Sequence, residues 1–110
     1  MARKKKDWST TWFGVTVARV GVKEARKVME FATCWAITTA ALDRPPKNIA
    51  EYSEWWGQSM ATGYREWDHW KAAWPEYHTP TDWFDSVGFE PRRAPRGGLE
   101  SMFLSTEAIT

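Results

Sequence analysis

Cysteine is almost missing from this chain: Cys34 is the only one in 110 residues. A single thiol cannot build an intramolecular disulfide framework, and nothing around it has metal-ligand spacing. Cys34 lies in an apolar run, Phe31 to Ile37, so it reads as a buried, inert thiol. Long hydrophobic runs are missing too. No stretch reaches the roughly 18 apolar residues of a membrane span. The basic start Arg3-Lys4-Lys5-Lys6 is not followed by an apolar segment ending in a small-residue cleavage site. No secretory signal is therefore expected, and the cytoplasm is the expected location.

Catalytic constellations are equally scarce. His69 and His78 lack a third ligand, and Asp82 reads as a charge at a helix start rather than half of a carboxylate pair with Asp85. The serines fall in caps and turns without a paired base or nucleophile elbow. Gly97-Gly98 is a lone glycine pair, not a phosphate cradle. No enzymatic activity, metal or cofactor is expected.

Charge and tryptophan are what the sequence does have. The length suits one domain. Net charge is only +1, yet its distribution is polar. Residues 1–47 carry ten Lys/Arg against four Asp/Glu, whereas residues 48–90 carry two against eight. There are nine tryptophans: Trp8, Trp12, Trp35, Trp55, Trp56, Trp67, Trp70, Trp74 and Trp83. Each can bury on the order of 200 Å², so most should staple a small core. A domain this small would struggle to hide all nine, which leaves Trp55 and Trp8 as candidate protein-interface anchors.

Three regions are expected: a flexible basic arm over 1–11, a domain over 12–90, and a basic C-terminal tail over 91–110. Alternation of Phe13, Val15 and Val17 with Gly14, Thr16 and Ala18 predicts a β-strand from Trp12 to Val20. Its partner would be the run Met102 to Ile109 or the same strand in a second copy. Residues 22–42 predict a long helix, first amphipathic and then apolar nearly all round. Its basic first half suits a membrane surface in composition, but the apolar half that follows points to burial instead. Asn48 and Glu51 have capping-box spacing for a helix ending at Gly57. Ser59 can cap the next helix, to about Trp74, and Thr79-Pro80-Thr81-Asp82 opens a short one closing at Gly88. The expected fold is mainly α, with about four helices around a helix-turn-helix and one N-terminal strand.

The helix-turn-helix reading rests on residues 48–67, NIAEYSEWWGQSMATGYREW. Ser53 supplies a small residue where the two helices touch, and Gly57 allows the turn. At about 100° per residue, Met60, Gly63, Tyr64, Trp67, Trp70 and Trp74 form an inward stripe. Ala61, Thr62, Arg65, His69, Ala72 and Ala73 collect opposite. Thr62 can bond a phosphate or base edge, and Arg65 can pair bidentately with guanine. Gln58 and Ser59 stand at the helix start, where first contacts with DNA fall.

The run Ile-Ala-Glu-Tyr-Ser-Glu-Trp-Trp-Gly-Gln-Ser-x-x-Thr-x-Tyr-Arg resembles the helix-turn-helix of small phage and actinobacterial DNA-binding proteins and of the resolvase type. The likeness extends over about residues 48–88, through the Thr-Pro that opens the last helix. It implies a small, phage-type, sequence-specific regulator of double-stranded DNA acting as a dimer, with Gln58, Ser59, Thr62, Arg65 and His69 on the reading helix. Two positions depart from that pattern: Gly63 where Val or Ile is usual, and Gln58 where a buried aliphatic is usual.

Electrostatics oppose this reading. DNA affinity comes largely from cations that neutralise phosphates, and the 48–90 segment is acidic, with Glu66 and Asp68 flanking the reading face. Phosphate contacts must then come from the arm Arg3, Lys4, Lys5 and Lys6, from the Lys23/Arg26/Lys27 face, or from Arg92 and Arg93. The rival reading is a non-enzymatic factor that binds and disables a host protein through Trp55, Trp8 and the acidic helices. No membrane partner is expected.

Overall fold

Thr11 settles the first element. Its hydroxyl accepts the Gly14 N–H at 2.8 Å, the contact of a helix N-cap, and Trp12–Val20 follows as an α-helix, α1. The computed structural model describes residues 8–93, and no strand occurs among them. The strand expected over 12–20 is therefore corrected to a helix. Its β-branched and glycine residues are weak helix formers, and the burial of Trp12 and Thr16 outweighs that local preference. The strand partner expected over 102–109 lies outside the described residues. Within the region expected as an arm, Trp8–Thr10 forms a 3-10 turn, and residues 1–7 lie outside the described residues.

Gly21, at φ +88°, joins α1 to α2 (Val22–Leu42). Its N–H closes α1 on Val17 O while its own carbonyl accepts Ala25 N–H and starts α2. The buried residues of α2 run from Ala25 to Thr39 along one broad stripe, so the helix serves as the central post. It ends at Asp43, in the left-handed region, just before Pro45 and Pro46. Then come α3 (Ile49–Trp56), α4 (Met60–Ala73), α5 (Pro80–Val87) and a 3-10 turn at Pro91–Arg93. The described part is thus mainly α, with five helices where about four were expected, because the expected strand is a helix.

The core is a tryptophan stack. The Trp12 ring lies parallel to that of Trp83 with centroids 3.6 Å apart, while Trp70 and Phe84 meet it edge-on at 6.1 and 6.3 Å. Trp12, Trp35, Trp70, Trp74 and Trp83 are all buried. At about 25 cal/mol per Å², each contributes at most several kcal/mol. Indole N–H groups also tie elements together: Trp35 donates to Thr81 Oγ1 in the first turn of α5 and Trp70 to Tyr77 O in the α4–α5 loop, both at 2.8 Å. Trp74 donates to Thr16 Oγ1 at 3.0 Å, tying α4 to α1. Arg19 reinforces that junction by holding both Glu76 oxygens at 2.8 Å while lying over the Trp74 ring.

Candidate functional site

Local chemistry fixes the α3–α4 pair. Asn48 Oδ1 accepts Glu51 N–H at 2.8 Å and caps α3. The Glu51 carboxylate reaches back one residue further than expected, to Lys47 N–H at 2.7 Å, and is held on both oxygens by Arg44. The Arg44 guanidinium and then the Lys47 amide drop the Glu51 carboxyl to about 2. Gly57 takes φ +69°, its N–H returning to Glu54 O and that of Gln58 to Ser53 O, a left-handed helix stop. Ser59 Oγ then accepts Thr62 N–H at 3.1 Å and opens α4.

The departures from the expected pattern have physical explanations. Gly63 is buried against α3: a Cβ there would overlap Ser53 Oγ and come within 2.9 Å of Ile49 Cγ2. The helices touch backbone to side chain, and Val or Ile would not fit. Gln58 donates to Glu66 Oε1 at 3.2 Å, and the Tyr52 hydroxyl donates to the same oxygen at 2.9 Å. Glu66 is thereby turned inward and half-buried rather than offered to a partner. Burial pushes the Tyr52 phenol well above its ordinary value, so it remains the donor of that bond.

The inward stripe of α4 is rotated from the expected one. Gly63, Trp70 and Ala73 are buried within the helix, with Trp74 at its cap, whereas Met60 and Tyr64 are exposed at 52% and 43%. The Ser53–Gly63 contact centres the interface, and this moves Met60 and Tyr64 off it. The exposed face of α4 carries Ala61, Arg65, Asp68 and Ala72, flanked by Tyr64 and Lys71. Asp68 is bridged by Lys71 at 3.3 Å. Arg65 has no ion-pair partner among the described residues.

Thr62, Arg65 and His69 line a cleft of about 160 Å³ together with Lys27, Glu30, Phe31 and Cys34 of α2. His69, expected on the outward face of the helix, is half-buried, with Nδ1 2.6 Å from Glu24. Glu24 also meets Lys27 at 3.6 Å, so one carboxylate links α2 to α4. Sequence reasoning missed this link, because nothing local marks which turn of α2 lies beside His69. Cys34 lies half-buried in the cleft, and burial pushes its thiol up. Of the other candidates, Ser59 and Thr62 have hydroxyls 3.0 Å apart, and Arg92 is held by Glu90 and by Asp43 O. Arg3, Lys4, Lys5 and Lys6 and the side chains of Trp8 and Arg93 lie outside the described residues.

Trp55 is exposed at 42% and meets Trp56 edge-on at 5.0 Å, with Trp56 anchored to Thr38 Oγ1 at 2.7 Å. On the opposite side of α4, Tyr64 and Trp67 line a groove of about 350 Å³ with Pro45, Pro46 and Ile49. Among the described residues no cluster of His, Cys, Asp and Glu could hold a metal ion, and no helix is long and apolar enough to cross a membrane. The chain matches no protein-family model, no curated protein and no solved structure.

Proposed function

We propose that the chain is a sequence-specific DNA-binding helix-turn-helix protein, a small regulator of the phage kind that residues 48–67 resemble. The observation that carries this reading is the α3–α4 pair itself. Two capped helices meet across a left-handed glycine, locked by Ser53 against Gly63, and α4 leaves Ala61, Arg65, Asp68 and Ala72 outward. Small residues along that edge let the helix enter a major groove closely, and the unpaired Arg65 guanidinium suits the two acceptors on a guanine edge. Glu66 no longer counts against the reading, because Tyr52 and Gln58 hold it inward. Ser59 and Gln58 act as cap and turn braces, leaving Thr62 and Arg65 as the readers. Titration of a mixed-sequence duplex tests the reading: micromolar or tighter binding at low salt supports it, and its absence rejects it.

A second reading is favoured by one observation. Trp55 and Met60 are exposed on either side of the α3–α4 turn, amid acidic surroundings. Exposed tryptophan is what protein interfaces use as an anchor. A host-protein partner would then sit over the turn rather than along α4. Trp55→Ala would abolish its binding, whereas on the DNA reading that change leaves duplex affinity intact.

A further inference from the structure

We infer that, if α4 reads DNA as proposed above, the first two turns of α2 hold the phosphate backbone beside it. Lys23, Arg26 and Lys27 are exposed there, and Lys23 and Arg26 have no ion-pair partner among the described residues. Lys27 lines the same cleft as Thr62 and Arg65, which brings the basic edge of α2 alongside the reading edge of α4. Neighbouring helices pack with axes about 8–10 Å apart, and the B-form major groove is about 12 Å wide. A helix seated in that groove therefore has a neighbour over the phosphate rim, where lysine and arginine are useful and base contacts are out of reach. A-form RNA does not fit, because its major groove is too narrow to admit a helix.

Glu24 is the acidic residue among these cations, and it is already engaged by His69 and Lys27. That arrangement turns a repulsive carboxylate into a brace that fixes the spacing between the phosphate edge and the reading edge. The site gains a second element without any cation from the acidic 48–90 segment other than Arg65. Glu30, exposed one turn further on, bounds the basic edge.

The test compares the full chain with a Lys23→Ala/Arg26→Ala double variant on a mixed-sequence DNA duplex across a salt series. Both residues are exposed, so circular dichroism and thermal melting should match the parent protein. Each lost phosphate contact removes roughly 0.9 from the slope of log affinity against log salt. The variant should lose about two units of slope, and between about 50 and 200 mM salt its affinity should fall roughly tenfold less than that of the parent. Duplex RNA of the same sequence should bind more weakly than DNA. A variant slope equal to the parent slope, with the parent binding well, overturns the role of α2 alone. A parent protein that binds no duplex at low salt overturns the DNA reading and this inference with it. Equal binding of RNA overturns the groove geometry.

Discussion

Gly63 of α4 lies so close to Ser53 of α3 that one methyl group at Gly63 would overlap the serine hydroxyl. Alanine normally gains about 1 kcal/mol over glycine inside a helix. Overfilling a tight contact costs about 1–3 kcal/mol, more when backbone must move. The overlap wins, so Gly63→Ala should lower stability by about 1–2 kcal/mol and Tm by roughly 5–10 °C. Ser53 Oγ is buried without a hydrogen-bond partner, so Ser53→Ala should be neutral or stabilising. Combining the two should recover part of the loss, measurable as a coupling energy in urea titrations.

Thr11 offers a test of α1. As an N-cap its hydroxyl holds Gly14 N–H, so Thr11→Ala should cost about 0.5–2 kcal/mol with a loss of helical ellipticity. A strand over these residues would show no such loss of helix signal. Trp12→Ala, which empties the stack on Trp83, should cost about 3–5 kcal/mol and weaken the near-ultraviolet tryptophan signal.

The Arg44–Glu51 pair makes the entry to α3 acid-sensitive. The Glu51 carboxyl sits near 2 in the folded protein, below its ordinary value of 4.5. Its contribution is fully present above about pH 4.5 and is lost as pH falls toward 2. Urea midpoints across that window should therefore fall more steeply for the parent protein than for Glu51→Gln, and the two should agree more closely at the acid end. Both groups face solvent, so added salt should shrink the difference.

His69 and Glu24 should behave as one unit. Glu24→Ala and His69→Ala each remove the 2.6 Å contact between α2 and α4, and their stability losses should be non-additive in a double-mutant cycle. Additive losses would mean that the two side chains act separately.

Features that a few neighbouring residues decide were legible in the sequence. Asn48, Gly57, Ser59 and Gly88 sit at helix ends because caps and left-handed stops depend on local chain chemistry. The long helix over 22–42 needed only its composition. Trp12 to Val20 reads as a strand because alternation of Phe13, Val15 and Val17 satisfies that pattern, whereas the deciding contact is with Trp83, adjacent in the core but distant along the chain. The inward stripe of α4 is rotated for a related reason: Met60 and Tyr64 look inward by hydrophobicity and Ala73 does not, yet the close approach of Ser53 to Gly63 buries Ala73 and leaves Met60 and Tyr64 exposed. The candidate site was legible only in part. Thr62 and Arg65 could be placed on a common face, but the inward turn of Glu66 and the Glu24–His69 link depend on partners no local pattern names.

The most direct measurement is fluorescence anisotropy of a labelled mixed-sequence DNA duplex titrated with the full chain, for the parent protein and for Arg65→Ala and Trp55→Ala, from low to moderate salt. Binding at low salt should weaken steeply with added salt, be reduced by Arg65→Ala and be unchanged by Trp55→Ala. An absence of duplex binding at low salt, or binding lost with Trp55 and indifferent to Arg65, would contradict the DNA reading.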